Sequence, residues 1–322
     1  MPHVDSSDTA ERLRDEIEAI IERFAAANDS HRTPLPGLSV ARITAPVAPT
    51  AQLDAPCLCV CIRGSRRIST AETVILHEEN HFILTAIELP SVIAIPDASP
   101  ACPYTALRVD LDLELARQVM AEIDVDGRGS LPHNTRRNVI ALDAEMLDSL
   151  ARLVRLLERP TDIPFMSRLL HREIVYRLLI GAGGAPLRYI VQLGSLGHRV
   201  AKAIDWLRAN FRERLRIDQL AAKADMGVST LHRHFHDLTG LSPLQYQKQL
   251  RLHEARRMML ESEFDVGRVA LEVGYESATQ FIREYRRLFG APPARDVRSI
   301  RESSQQRRRL WLASTPHGRS SL

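Results

Sequence analysis

The 322-residue chain contains no apolar run of 18 or more residues, which excludes a straight membrane-spanning helix on length alone. Its first residues, MPHVDSSDTAERLRDEIEAI, are polar and acidic. They lack the basic start and apolar stretch of a secretory signal, so a cytoplasmic protein with no membrane partner is expected. Cysteine is scarce: Cys57, Cys59, Cys61 and Cys102 are the only four, too few to scaffold a chain of this length with disulfides. The N-terminal half also lacks a His-x-His set, the ligand pattern a metal-dependent barrel enzyme would need. No catalytic residue, metal or cofactor is assigned.

What is present points to two parts. At 44% hydrophobic residues the chain can bury a substantial core, and its length favours two domains over one. Charge is divided unevenly between them. Residues 1–196 hold 20 Arg against 26 acidic residues, a net −6; residues 197–300 carry +5 and residues 301–322 carry +4. A basic C-terminal third on an acidic body is the pattern of a polyanion-binding module attached to something else.

Along the chain, Leu13, Ile17, Ile20, Ile21 and Phe24 recur at helical spacing, and a helix is predicted over 8–27. Residues 28–37 read as a loop. Short apolar or alternating runs follow at Leu38–Ile43, Pro56–Ile62, Glu72–Leu76, His81–Thr85, Ser91–Ile95 and Tyr104–Leu111. Strands at such spacing predict a barrel or sandwich. Residues 112–122 read as a helix and 124–138 as a loop. Two amphipathic helices come next, one through Met146–Leu157, the other after Pro164 through Leu178. Their apolar stripes are wide enough to pack together or to form a dimer seam. The glycines at 181, 183, 184, 194 and 197 predict a linker.

The C-terminal third is organised by a repeat over Ile217–Pro293. Ala221 matches Ala270 at an offset of 49. Leu231, Arg233, Phe235, Gly240 and Pro243 match Phe281, Arg283, Tyr285, Gly290 and Pro293 at an offset of 50. Each copy reads as two short helices around a turn. Asp218 is a candidate cap for the first, and Asp225 and Gly274 occupy the turns, where a left-handed backbone is required. In the second helix of each copy, Leu231, Phe235 and Leu238, or Phe281, Tyr285 and Leu288, point inward. The remaining faces carry Ser229, Thr230, His232, Arg233 and His236 in one, and Thr279, Gln280, Ile282, Arg283 and Arg286 in the other. Arg can bond guanine and Gln adenine, while Thr and Ile can touch a thymine methyl. His236 and Arg286 lie further along and suit phosphates. The connecting stretch from Pro243 to Glu261, as one helix, would span about 27 Å. That is close to the ~34 Å between readers in successive major grooves.

The stretches MGVSTLHRHFHDLTGLSPLQYQKQLRLHEARRMML and VALEVGYESATQFIREYRRLFGAPPARD resemble the AraC/XylS family of bacterial transcription regulators. The likeness covers about 200–297, and Asp225 departs from the glycine many members carry. The resemblance implies that Ser229, His232 and Arg233, and Ala278, Thr279, Ile282 and Arg283, face the grooves; with Ala278 and Ile282 apolar, the first helix is expected to supply more hydrogen-bonded base contacts and the second more methyl contact. CLCVCIRGSRRI, HFILTAIELPSVIAI, ASPACPYTALRVDLD and DIPFMSRLLHREIVYRLL resemble the N-terminal domain of one AraC-type subgroup, similar to cupins. The resemblance implies an α+β two-domain protein, with a cupin-like β-barrel flanked by helices and an all-α domain of two helix-turn-helix units joined by a long helix. It places an N-terminal helix and loop at 1–35, the effector-binding and dimerisation domain at 36–180, a linker at 181–197, the DNA-binding domain at 198–300 and a disordered basic tail at 301–322. It also implies ligand-responsive control of transcription, more often activation. The implied partners are double-stranded DNA, a small-molecule effector, RNA polymerase and a second copy of the chain.

Three features of the N-terminal half bear on the effector. Cys57, Cys59 and Cys61 alternate and share one side of a strand; they read either as buried small hydrophobes or as thiol sensors, with Cys102 a further candidate. Arg63, Arg66 and Arg67 read either as a solvated turn or as an anion contact. His77 and His81 flank Glu78 and Glu79, residue types that hold metals in cupins, but the run falls on a turn that would splay them. Two other readings remain: a barrel enzyme fused to a DNA-binding domain, and an N-terminal half that only dimerises.

Overall fold

The computed structural model describes residues 6–25, 29–69, 74–123, 139–192, 195–261 and 265–302. The loop expected at 124–138 and residues 303–322 of the expected tail lie outside the described residues. The chain divides into two compact units, Met1–Ala209 with Arg216–Tyr246, and Asn210–Leu215 with Gln247–Leu322.

The first unit opens with α1 (Ser6–Phe24), whose Ile17, Ile20 and Ile21 are fully buried. The strands β1 (Asp29–Arg32), β2 (Leu38–Ile43), β3 (Val47–Asp54), β4 (Cys57–Arg63), β5 (Ser65–Ser69), β6 (Val74–Glu78), β7 (His81–Thr85), β8 (Leu89–Ile95) and β9 (Tyr104–Asp110) follow. Then come α2 (Leu113–Glu122), β10 (Val139–Ala141), α3 (Ala144–Arg155), α4 (Ile163–Ile180), α5 (Ala185–Val191) and α6 (Leu196–Ala209). The strands form two antiparallel sheets, ordered β1-β2-β9-β4-β7-β10 and β3-β8-β5-β6. The expected sheet-rich domain is present, but among the described residues no hydrogen-bonded ladder closes the two sheets into one barrel. The chain leaves the first sheet at Gly64 (φ 76°) and enters β5 in the second. A side chain at Gly64 would sit 2.9 Å from the Pro103 carbonyl, so the tight crossing needs glycine.

The sheets face each other. Cys61, Ile83, Tyr104 and Ala106 of one pack with Ile68, Ile93 and Ile95 of the other. Strand alternation turns Leu58, Val60 and Ile62 to the opposite face, where α1 packs. Asp112 and Asp143 cap α2 and α3 through backbone N–H bonds, and Pro164 lies in the first turn of α4, where its missing N–H costs nothing. The α3–α4 contact is tied by Glu173, which accepts from Ser149 at 2.8 Å and from Arg152 and Arg177.

Two expectations are corrected. Residues 28–37, read as a loop, contain β1. The 181–197 stretch, read as a linker, contains α5, whose Leu187, Ile190 and Val191 are buried; tertiary burial there outweighs the helix-weakening glycines around it. No single helix among the described residues is long and apolar enough to cross a membrane.

The remaining helices are α7 (Ile217–Lys223), α8 (Val228–Thr239), α9 (Pro243–Glu261), α10 (Val266–Glu272) and α11 (Ala278–Phe289), followed by helical residues 293–302. α9 is continuous through the boundary at Tyr246–Gln247. In the second unit Leu252, Ala255, Met259, Val269, Ala270, Val273, Tyr275, Phe281, Tyr285 and Val297 form one buried cluster.

Candidate nucleic-acid interface and effector cavity

Each copy of the repeat is a helix-turn-helix. In the first, α7 and α8 flank Asp225 (φ 52°), and in the second α10 and α11 flank Gly274 (φ 90°). The two turns tolerate different residues for a physical reason. The Asp225 carbonyl accepts from Arg199 at 2.7 Å, and its carboxylate lies 3.9 Å from Lys202; these contacts hold the strained residue. A side chain at Gly274 would meet the Arg212 carbonyl oxygen at 2.2 Å. Asp218, expected to cap α7, instead lies in its first turn, and Arg216 is the N-cap without a side-chain bond. Gly240 and Gly290 end α8 and α11 in left-handed conformation, as helix-stopping glycines do.

The inward faces are as the periodicity requires. Leu231, Phe235 and Leu238 are buried on α8, and Phe235 meets Tyr246 edge-on at 5.5 Å between ring centroids. On α11 Phe281 and Tyr285 are fully buried, each stabilising the fold by about 1.5–3 kcal/mol. The outward faces divide. Ser229, His232, Arg233 and His236 are exposed and line an open hollow together with Val228, Asp237 and Ser242, while Thr230 is half-buried. Ala278, Thr279, Ile282, Arg283 and Arg286 are exposed on α11. Among the described residues no carboxylate pairs with Arg283 or Arg286. Gln280 differs: it is half-buried and its amide donates to Glu284 at 3.1 Å, so it is engaged within its own helix. Glu284 also accepts from Lys248 at 2.8 Å and the Tyr275 hydroxyl at 2.9 Å. Burial works against its ionisation, but these bonds together hold its carboxyl below the usual value.

Side chains that the repeat pattern gave no sign of hold the second helix-turn-helix in place. Arg251 donates to the carbonyls of Phe211 at 2.6 Å, Gly274 at 2.6 Å, Glu213 at 2.7 Å and Arg212 at 3.2 Å. Asp296 accepts two bonds from Arg256, at 2.8 and 2.9 Å, and one from the Tyr285 hydroxyl at 2.7 Å. Only long-range geometry reveals these roles; an arginine on a helix reads as solvated until its partners are known.

In the first unit a cavity of about 180 Å³ opens between the facing sheets. Its polar lining includes Gln52, Asp54, Arg66, Thr85, Tyr104 and Arg108, and its apolar lining includes Ile68, Ile83 and Ala106. Of the expected effector residues, Cys57 and Cys59 line this cavity; Cys61 and Arg63 do not. Cys61 is fully buried and donates to the Gly64 carbonyl at 3.2 Å. Arg63 faces α1, where it pairs with Asp15 and Glu18 and lies 3.8 Å from Glu79; it fastens α1 to the sheet. Burial pushes the Cys57 thiol up to about 12 and raises that of Cys61 as well, which disfavours reactive thiolates. Cys102 is exposed and lines a separate hollow with Glu78, Glu79 and Asp97. His77 turns inward, accepting from Arg66 and contacting the His81 carbonyl at 3.0 Å. Two contacts tie the connection between β7 and β8 to the helices: the Tyr246 hydroxyl, beside Phe235 of α8, donates to the Glu88 carbonyl at 3.0 Å, and Arg208 lies 3.4 Å from the Glu88 carboxylate.

Comparison with known proteins agrees with this architecture. The family profile for the AraC-type transcriptional regulator N-terminus matches residues 34–186, and a helix-turn-helix domain profile matches residues 220–299. The chain belongs to the AraC/XylS family of transcriptional regulators. The transcriptional activator RhaS of Escherichia fergusonii is 30% identical over 168 residues, 51% of this chain and 59% of RhaS. RhaS of Salmonella schwarzengrund is 28% identical over 165 residues, 50% of this chain and 58% of RhaS. The chain thus spans a little over half the length of the curated relatives it matches. Among solved structures, ToxT from Vibrio cholerae aligns over 81% of this chain and 97% of its own, with a TM-score of 0.56 at 11% identity, a likeness of fold.

Proposed function

We propose that this AraC/XylS-family member is a sequence-specific DNA-binding transcriptional activator controlled by a small molecule held between its N-terminal sheets. The observation that carries the reading is the pair of helix-turn-helix units with buried inner faces and exposed outer faces. Ser229, Thr230, His232 and Arg233 of α8 reach base edges, as do Ala278, Thr279, Ile282 and Arg283 of α11, while His236 and Arg286 contact phosphates. Gln280 serves α11 through Glu284 and contacts DNA only if that bond is released. The helix-turn-helix profile and the RhaS relatives, named as activators, support this assignment. Acting on DNA beside RNA polymerase, the protein works in the cytoplasm.

Effector control is supported by the polar cavity and by the Tyr246–Glu88 bond, which joins the connection between β7 and β8 to the residues packed beside α8. The chain acts as a homodimer through α4. On that helix Phe165 and Leu169 are 73% and 49% exposed and Tyr176 and Ile180 continue the same apolar stripe, more than one helix leaves to water without a partner. Genome-wide mapping of bound sites, followed by gel shifts on the recovered motif, tests the central reading. Discrete sites sharing a motif are expected. Uniform, salt-sensitive association without a motif would reduce the protein to a non-specific polyanion binder.

A further inference from the structure

We propose that the cavity between the two sheets binds a compact organic monoanion, a carboxylate on a small apolar body, with Arg66 as its anchor and the Tyr104 hydroxyl as a second donor. This rests on the reading of the cavity as the effector site and names the chemistry that site accepts.

Two arginines line the cavity. Arg108 is compensated: it donates to Asp110 at 3.0 Å and lies 3.7 Å from Asp54. Arg66 is not; among the described residues no carboxylate lies within 4.0 Å of it. Its Nε donates to His77 Nδ1 at 3.2 Å and its Nη2 to Cys59 Sγ at 2.9 Å. Neither acceptor is a carboxylate. Burial, reinforced by the Arg66 charge, lowers the His77 pKa to about 3, so the imidazole is neutral, and the neighbouring Cys57 thiol is held protonated. A half-buried guanidinium that lines the cavity without a carboxylate beside it gains from an anion that joins it there.

A second, independent observation concerns Tyr104. It is 3% exposed, lines the same cavity, and its hydroxyl has no hydrogen-bond partner among the described residues. A buried hydroxyl left unbonded costs about 1–3 kcal/mol. Arg66 lies over the Tyr104 ring at 6.0 Å, and both residues line the cavity. Ile68, Ile83 and Ala106 line it as well. Size sets the rest. A cavity of ~150 Å³ accepts a benzene ring, and drug-sized ligands need about 300 Å³ or more. The ~180 Å³ here admits a ring or short chain bearing one carboxylate and excludes nucleotides and lipids.

The test uses the full-length protein and thermal-shift titration, with cyclohexanecarboxylate, hexanoate and butanoate as probes. Their neutral carboxamides, and chloride and phosphate at matched ionic strength, are the controls. At least one carboxylate is expected to raise the melting temperature saturably and to bind about tenfold or more tightly than its amide, since a charge-assisted pair is lost in the amide. Arg66→Met is expected to abolish the shift and Tyr104→Phe to weaken it. Arg66→Lys, which keeps the charge, reports on the site if Arg66→Met fails to fold. Equal shifts from acid and amide, shifts from inorganic anions alone, or no shift from any carboxylate in folded protein would overturn the proposal. Gel shifts with and without the bound carboxylate separate the two layers. Binding without any change in DNA affinity or transcription removes the effector reading and leaves the ligand chemistry standing.

Discussion

Replacing Asp296 with Ala should loosen α11 without altering any residue of its exposed outer face. The Asp296 and Arg256 side chains are only 10% and 14% exposed, and the carboxylate takes two bonds from Arg256 and one from Tyr285 of α11. Removing the carboxylate from a largely buried guanidinium costs about 3–5 kcal/mol, and depriving a buried hydroxyl of its acceptor costs about 1–3 kcal/mol. The two losses share one acceptor and do not add. The Arg256 contact with the Phe289 ring, at 4.4 Å, survives and keeps the total toward the lower end. About 3 kcal/mol corresponds to a fall of roughly two orders of magnitude in protection of the α11 amides. Hydrogen exchange on the intact protein, with Phe281–Phe289 compared against α3, measures it. A companion variant, Arg256→Met with Asp296→Leu, should regain most of the protection, because a buried ion pair exchanged for apolar side chains is often neutral. Unchanged protection in Asp296→Ala, or equal loss in the double variant, would refute the reasoning.

Other expectations follow from the same geometry. His77 is held neutral in the fold with its pKa near 3, against 6.5 unfolded. The unfolded chain therefore takes up the proton first, and the His77 contribution is present above about pH 6.5 and lost progressively as pH falls toward 3. Denaturant titrations between pH 7 and 5, above the carboxylate range, should show a decline that His77→Gln flattens; parallel profiles would contradict the assignment. Gly274→Ala should destabilise the second helix-turn-helix far more than Asp225→Ala does the first, because only at Gly274 does the added carbon strike a backbone carbonyl; equal melting curves would remove that distinction. Leu169→Glu should raise the dimer dissociation constant at least tenfold in sedimentation, and an unchanged constant would exclude α4 as the seam.

The helical third was largely legible because its repeat doubles every signal. Phe235 and Tyr285, or Gly240 and Gly290, each confirm the other's place, and the left-handed turns at Asp225 and Gly274 follow from residue type. The strands were legible where apolar residues alternate or cluster, as at Leu38–Ile43 and His81–Thr85. They were not legible in β3, whose register is broken between Val47 and Thr50, or in β5. The β5 sequence, SRRIS, reads as a solvated turn until the facing sheet supplies Arg66 with a cavity. Arg63 and Arg66 stand three residues apart with the same side chain. Whether each meets α1 or the cavity depends on the crossing at Gly64, which no periodicity encodes. Gln280 illustrates the same limit: its type suits adenine, but Glu284, one turn along, already holds its amide.

The claim that the outer faces of α8 and α11 read DNA is tested most directly by base preference. Binding-site selection with the full-length protein, at one fixed salt concentration, gives the preference at each position for the wild type and for Arg283→Ala. Arg283→Ala is expected to lose about 1–3 kcal/mol of specific affinity and to relax discrimination at one base position while the others keep theirs. Unchanged affinity with an unchanged preference at every position would contradict it.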